Sequence, residues 1–197
     1  MDVHRVNTWD KPNQTLFHES GHFIDRIARD KVKDTTELTW HFSSAYKDGL
    51  FPKTITDEVN KAVNKLDKEL KQIFKNHDRE WLIANGYLSK YSYNSTYSKA
   101  IAYSYYGKQI KNDIGSTNAI SDLSDILEGA TRGKISLGFG HGKSYWEGSR
   151  HNEMLGTEAF AEMIDSTMAA PESLEAIKKY LPESYSLFEE MLKELLK

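Results

Sequence analysis

The sequence predicts an α+β fold that is mainly α, with a small sheet or hairpin, in a single domain spanning residues 1–197. Three observations predict it. Several segments repeat apolar residues at alternating spacings of three and four, which marks one face of a helix. Two late segments open on Pro171 and Pro182, and proline suits the first turn of a helix, where its missing N–H is not needed. Strand character is confined to Val3 and Val6 near the start and to a Gly-rich run, Thr131 to Trp146, that reads as a turn or hairpin.

In order along the chain, Asp10-Lys11-Pro12-Asn13 reads as a turn and helix entry. A helix follows from about Gln14 to Arg29, with Leu16, Phe17, Ile24, Ile27 and Ala28 as its apolar stripe. Residues 34–53, with Gly49 and Pro52, read as a connection in which Trp40 and His41 pack. Val59, Val63, Leu66, Leu70 and Ile73 predict a helix over Thr56 to Ala84, amphipathic rather than coiled-coil because a coiled coil needs three or more heptads. Tyr87, Tyr91, Tyr93, Tyr97, Tyr103, Tyr105 and Tyr106 then crowd a mixed loop and helix, about 96–112, where they suit half-buried packing or the wall of a peptide groove. Residues 54–112 thus read as a helical, Tyr-rich insertion. A short helix begins near Ser121 and ends at Gly129, another covers about 152–168, and two packing helices close the chain, Pro171 to Tyr180 and Pro182 to Leu196.

Composition limits the function. A net charge of −3 with both signs interspersed offers no polybasic face for nucleic acid or anionic lipid. Without cysteine there is no disulfide, thiolate metal site or cysteine nucleophile, in keeping with a reducing cytoplasm. No apolar run of about 18 residues occurs, so neither membrane nor nucleic acid is an expected partner. Gly142-Lys143-Ser144 resembles the end of a phosphate loop, but Leu137 stands where that pattern opens on glycine, so the nucleotide reading fails.

The segment that carries chemistry is His18-Glu19-Ser20-Gly21-His22. Histidines four residues apart lie about 40° apart around a helix and can grip one ion from one face. Glu19, about 100° further round, is badly placed to ligate but able to act as general base on a water at the metal. Chance produces this pattern in roughly one such chain in fifty, so context must decide. The context is Gly156-Thr157-Glu158-Ala159-Phe160-Ala161-Glu162, where Glu158 and Glu162 share a helical face. Two imidazoles and one carboxylate with an open fourth position match a catalytic Zn2+ site, with Glu158 as third ligand and Glu162 receiving an N–H from a ligand histidine. Asp25 is spaced to accept from His22 or to pair with Arg29. Gly21 leaves room for a close approach on the metal side.

Through His18-Glu19-x-x-His22-x-x-Asp25 and Glu158-Ala159-Phe160-Ala161-Glu162 the chain resembles gluzincin metallopeptidases of the anthrax lethal factor type, and thus a zincin-like domain. It is still more similar to the metallopeptidase-like region of bacteriophage minor head, or head morphogenesis, proteins, through Ser121 to Trp146 with its Gly-Phe-Gly-His-Gly-Lys-Ser-Tyr-Trp. The resemblance covers about a third of the chain. It implies zinc on His18, His22 and Glu158, Glu19 as base, a peptide or protein substrate, phage head proteins as partners, and a place in the bacterial cytoplasm or the virion. Where the lethal factor type has a tyrosine seven residues before the glutamate ligand, this chain has His151; His151, Tyr145 or His141 is the expected donor to the oxyanion. A zinc peptidase fold places strands ahead of its metal helix, yet the motif starts after only 17 residues, so the chain reads as a domain excised from a longer protein. The rival expectation is a structural head domain that keeps zinc, or only the fold, without turnover.

Overall fold

The computed structural model describes residues 14–31, 40–91, 96–115 and 120–197. Among them are nine α-helices and no strand. They are α1 (Gln14–Ile27), α2 (Phe42–Ala45), α3 (Leu50–Asn76), α4 (Arg79–Ala84), α5 (Lys99–Ile114), α6 (Ser121–Thr131), α7 (His151–Ala169), α8 (Pro171–Tyr180) and α9 (Pro182–Leu195). The mainly helical expectation stands. The small sheet or hairpin is corrected: Gly133, Gly138, Gly140 and Gly142 adopt φ of 72°, 99°, 123° and 80°, which turns the Gly-rich run repeatedly and prevents an extended ladder. The expected strand through Val3 and Val6 and the turn at Asp10 to Asn13 lie outside the described residues.

Helix α7 runs through the middle, touching α1, α2, α3, α6, α8 and α9. Its inward residues Leu155, Ala159, Phe160 and Met163 are wholly buried. Phe160 meets Phe42 of α2 and Phe188 of α9 edge-on, at ring distances of 6.4 and 5.4 Å. Each such ring or branched side chain contributes roughly 1.5–3 kcal/mol relative to exposure. The buried face of α3, Ile55, Val59, Val63 and Leu70, joins the same core, as do Ala102 and Ile110 of α5.

The contact that positions the site is between α1 and α7. A Cβ on Gly21 would stand 2.7 Å from Ala161 Cα, so only glycine lets the two helix backbones approach this closely. That approach selects the packed face of α1: Gly21 and Asp25 are buried, as is Ala28 just past its end, while Leu16 and Ile27 are 48% and 60% exposed. The expected apolar stripe of α1 is therefore corrected, with only Ala28 and part of Ile24 packed inward.

Other boundaries shift for local reasons. Helix α3 starts at Leu50, earlier than Thr56, because Gly49 at φ 80° turns the chain and Pro52 falls in the first turn, where no N–H is required. It ends at Asn76; the extended His77 and the Asp78 carboxylate, which accepts Trp81 N–H at 2.8 Å, begin α4, so one expected helix is two. Within the stretch expected to be irregular, Phe42–Ala45 forms α2, and Trp40, expected to pack, is 72% exposed. Gly129 does not end α6. It lies against Trp146 and Leu155, where a Cβ would come within 3.0 Å, and Arg132 and Gly133, both at positive φ, make the turn instead.

Candidate metal centre

Helix α1 presents His18 and His22 on one face, and their Nε2 atoms stand 3.0 Å apart. Across the Gly21–Ala161 contact, α7 presents Glu158, whose Oε2 lies 3.4 Å from His22 Nε2 and 3.6 Å from His18 Nε2. That oxygen is buried and accepts no hydrogen bond from any described residue. A carboxylate oxygen stripped of water and left without a donor costs on the order of 1–3 kcal/mol or more, so its place beside two imidazole nitrogens needs a reason. A divalent ion supplies one. Donors bound to zinc at about 2.0–2.1 Å in a tetrahedron stand about 3.3 Å apart, and the three separations bracket that value. The residues fit the group: His18, His22 and Glu158 together can hold one cation.

Glu162, one turn past Glu158, lies 3.5 Å from His18 Nδ1, the ring nitrogen turned away from the site. This is the carboxylate–imidazole pairing that fixes the tautomer and leaves Nε2 free to ligate. Burial disfavours charge on His18, but Glu162, with Glu158 and Glu19 behind it, outweighs burial and pushes His18 up to about 9. Burial raises Glu162 to about 7, with Asp122 and Asp125 adding to the rise and His18 opposing it. Burial would also raise Glu158, yet His22 and Tyr145 hold it down to about 2. Glu158 is therefore an anion facing His18 and His22 throughout the neutral range.

The far oxygen of Glu158 is held by the Gly-rich loop. Tyr145 Oη donates to Glu158 Oε1 at 2.5 Å, and His141 Nε2 is 3.9 Å from the same oxygen. The rings of His141 and Tyr145 stack at 4.1 Å. Two acids of α6 set this loop. Asp125 accepts from His141 N at 3.1 Å and lies 3.0 Å from His141 Nδ1, and Glu128 accepts from Gly142 N at 2.8 Å and Trp146 Nε1 at 3.3 Å. Gly140 crosses above both acids; a Cβ there would come within 2.7 Å of each. Asp125 raises His141, burial opposing it, so the ring is biased towards the donor form. Burial and the Glu158 charge together raise Tyr145 well above an ordinary phenol, so it keeps its proton.

Of the three expected oxyanion donors, the structure brings Tyr145 and His141 to Glu158 and not His151. His151 is buried at the start of α7, where Nε2 is 2.7 Å from the Gly129 carbonyl, and the α6–α7 packing occupies it. Asp25 also departs from expectation: its oxygens accept from Ser43 N at 2.6 Å and Ser43 Oγ at 2.7 Å, tying α1 to α2 instead of orienting an imidazole. Burial pushes Asp25 up to about 6 against those bonds. Glu19 is exposed, and its charge acts on the neighbouring His18. The described tyrosines of 96–112 pack elsewhere, Tyr97 on Asp67 at 2.7 Å and Tyr105 on the Tyr87 ring at 5.3 Å. Sequence reasoning missed Asp125 and Glu128. Two acids three residues apart just before a glycine loop were the available signal, because one helical face then carries two acceptors for loop amides. Compared with known proteins, the chain matches no family model, no curated protein and no solved structure.

Proposed function

We propose that the chain is a zinc-dependent endopeptidase. The observation that carries the reading is Glu158 Oε2, buried without a donor and 3.4 and 3.6 Å from two imidazole nitrogens that are 3.0 Å apart. When bound there, zinc supplies Lewis acidity to a scissile carbonyl and acidity to a water. His18, His22 and Glu158 would hold it, and Glu162 would keep His18 in the ligating tautomer. Glu19, exposed beside His18 in the chain and close enough for its charge to act on that ring, would take the proton of the attacking water and deliver it to the leaving amide nitrogen. His141 would steady the developing oxyanion with a ring N–H, and Tyr145, whose one hydroxyl hydrogen goes to Glu158 Oε1, would join it by turning that hydrogen from the carboxylate to the oxyanion. The resemblance to phage minor head proteins extends the proposal to a zincin-like fold, to phage head proteins as substrate or partners, and to the host cytoplasm or virion as setting.

A second reading, a head-associated domain that keeps the metal without turnover, draws on the lack of any strand among the described residues to hold a peptide substrate. No helix among those residues is long and apolar enough to cross a membrane, which suits either reading. The two separate on Glu19→Gln, assayed for zinc content and for cleavage of a peptide library. The peptidase reading expects zinc retained and cleavage abolished. Cleavage by Glu19→Gln at the parent rate would remove Glu19 as base, and a zinc-loaded parent that cleaves nothing would favour the second reading.

A further inference from the structure

A cavity whose lining shares no residue with the metal centre lies between α5 and the turn that follows α6. Its volume is about 500 Å³, within the range of small-molecule sites. Its rim carries Lys108 and Lys111 from α5 and Lys134 from the turn, with the hydroxyls of Ser104 and Ser136 between them. Among the described residues no carboxylate lines it. Lys111 and Lys134 make no ion pair among the described residues; Lys134 rests over the Tyr103 ring at 5.2 Å, and Lys108 reaches only the Gly86 carbonyl, at 3.5 Å. Lys47, Lys53, Lys61, Lys71 and Lys179 elsewhere each meet an acid, whereas these lysines converge on one cavity without one. Positive side chains gathered at one cavity with no acid in its described lining favour a bound anion there.

A second cavity of about 500 Å³ adjoins the first, sharing Ser104 and Lys108, and is lined by Tyr87, Leu88, Ile101 and Tyr105. Tyr105 ends a run of stacked rings, His77 on Trp81 at 3.5 Å, Trp81 on Tyr87 at 5.8 Å and Tyr87 on Tyr105 at 5.3 Å. The two together offer a cationic end and an apolar, aromatic end.

We propose that this lysine-rimmed cavity binds the phosphate groups of a small phosphorylated ligand, whose uncharged part extends along Tyr105 and Ile101. Ammonium groups beside hydroxyl donors suit the several oxygens of a phosphate, which accept more hydrogen bonds than a single carboxylate. The inference is independent of the metal reading.

The test is calorimetric titration of the full chain with tripolyphosphate and, separately, ATP, both without magnesium, against Lys111→Ala/Lys134→Ala. Both lysines are exposed, so the double variant keeps its fold, which circular dichroism verifies. The expected result is binding of at least one probe, weakened by about tenfold or more in the double variant and by added salt. ATP tighter than tripolyphosphate identifies a nucleotide-like ligand, and equal affinity a free polyphosphate; either agrees with a phosphate site. The proposal is overturned if neither probe binds, if tetraglutamate binds as well as they do, or if binding survives the double substitution, as it would for phosphate chelated at a metal.

Discussion

Gly21→Ala tests how the two halves of the centre are held together. The added Cβ would meet Ala161 Cα at 2.7 Å, Ala161 Cβ at 3.2 Å and Ala161 O at 3.3 Å. Carbon contacts relax at about 3.5–4.0 Å, and the opposing atoms are backbone, so α1 and α7 must separate by about 1 Å. The histidines ride on α1 and Glu158 on α7, so the His–Glu separations of 3.4 and 3.6 Å widen towards about 4.5 Å. Metal bonds tolerate only about 0.2 Å, so zinc affinity should fall by tenfold or more. Stability should change less: overpacking costs about 1–3 kcal/mol, and replacing a mid-helix glycine by alanine returns about 1. For a chain of this length the net is a drop in Tm of up to about 8 °C. Gly148→Ala is the control, since nothing stands within 4 Å of a Cβ there. Zinc titration and thermal melting of both variants decide the matter. Parent-like zinc affinity in Gly21→Ala would show that the helix approach does not set the donor spacing.

Tyr145→Phe removes the donor at 2.5 Å from Glu158 while leaving the ligands in place. It should lower turnover by about a hundredfold with zinc content unchanged, and loss of zinc instead would make Tyr145 a structural support of the ligand. Zinc must displace a proton from His18, held up to about 9, so its affinity should fall as pH drops below about 9, by up to tenfold per unit; a flat profile between about pH 6 and 8 would contradict the His18–Glu162 pairing. In the metal-free protein, His18 raised from 6.5 to about 9 stabilises fully below 6.5 and loses that contribution as pH rises through about 9. Glu162, raised from 4.5 to about 7, likewise makes folding less favourable as pH rises, so metal-free Tm should decline between about pH 5 and 9. Glu58 accepts from Glu183 N, Ser184 N and Ser184 Oγ at 2.9, 3.0 and 2.7 Å, closing the start of α9. Glu58→Ala should cost about 2–3 kcal/mol in urea unfolding, and a neutral result would show that water replaces the cap.

What the sequence made legible was periodic or tightly spaced. The i, i+4 pairs His18/His22 and Glu158/Glu162 fix helix faces by geometry alone, and Pro171 and Pro182 mark the entries of α8 and α9. What stayed hidden depends on which distant surface a residue meets. Asp25 has a plausible partner in His22 by spacing, but Ser43, 18 residues away, offers an amide and a hydroxyl together. The position of His151 matches that of an oxyanion donor in sequence, yet packing of α6 on α7 gives its ring to the Gly129 carbonyl. The Gly-rich loop reads as a hairpin until Asp125 and Glu128 are seen to hold its amides from the side, an alternative that local pattern does not encode.

The central claim is that His18, His22 and Glu158 share one ion, and zinc stoichiometry tests it most directly. Metal analysis of protein purified and dialysed without chelator should give one zinc per chain for the parent and for Glu19→Gln, and none for Glu158→Ala, with all three folded by circular dichroism. Zinc retained at one equivalent by folded Glu158→Ala, or no zinc taken up by the parent at micromolar supply, would contradict the account.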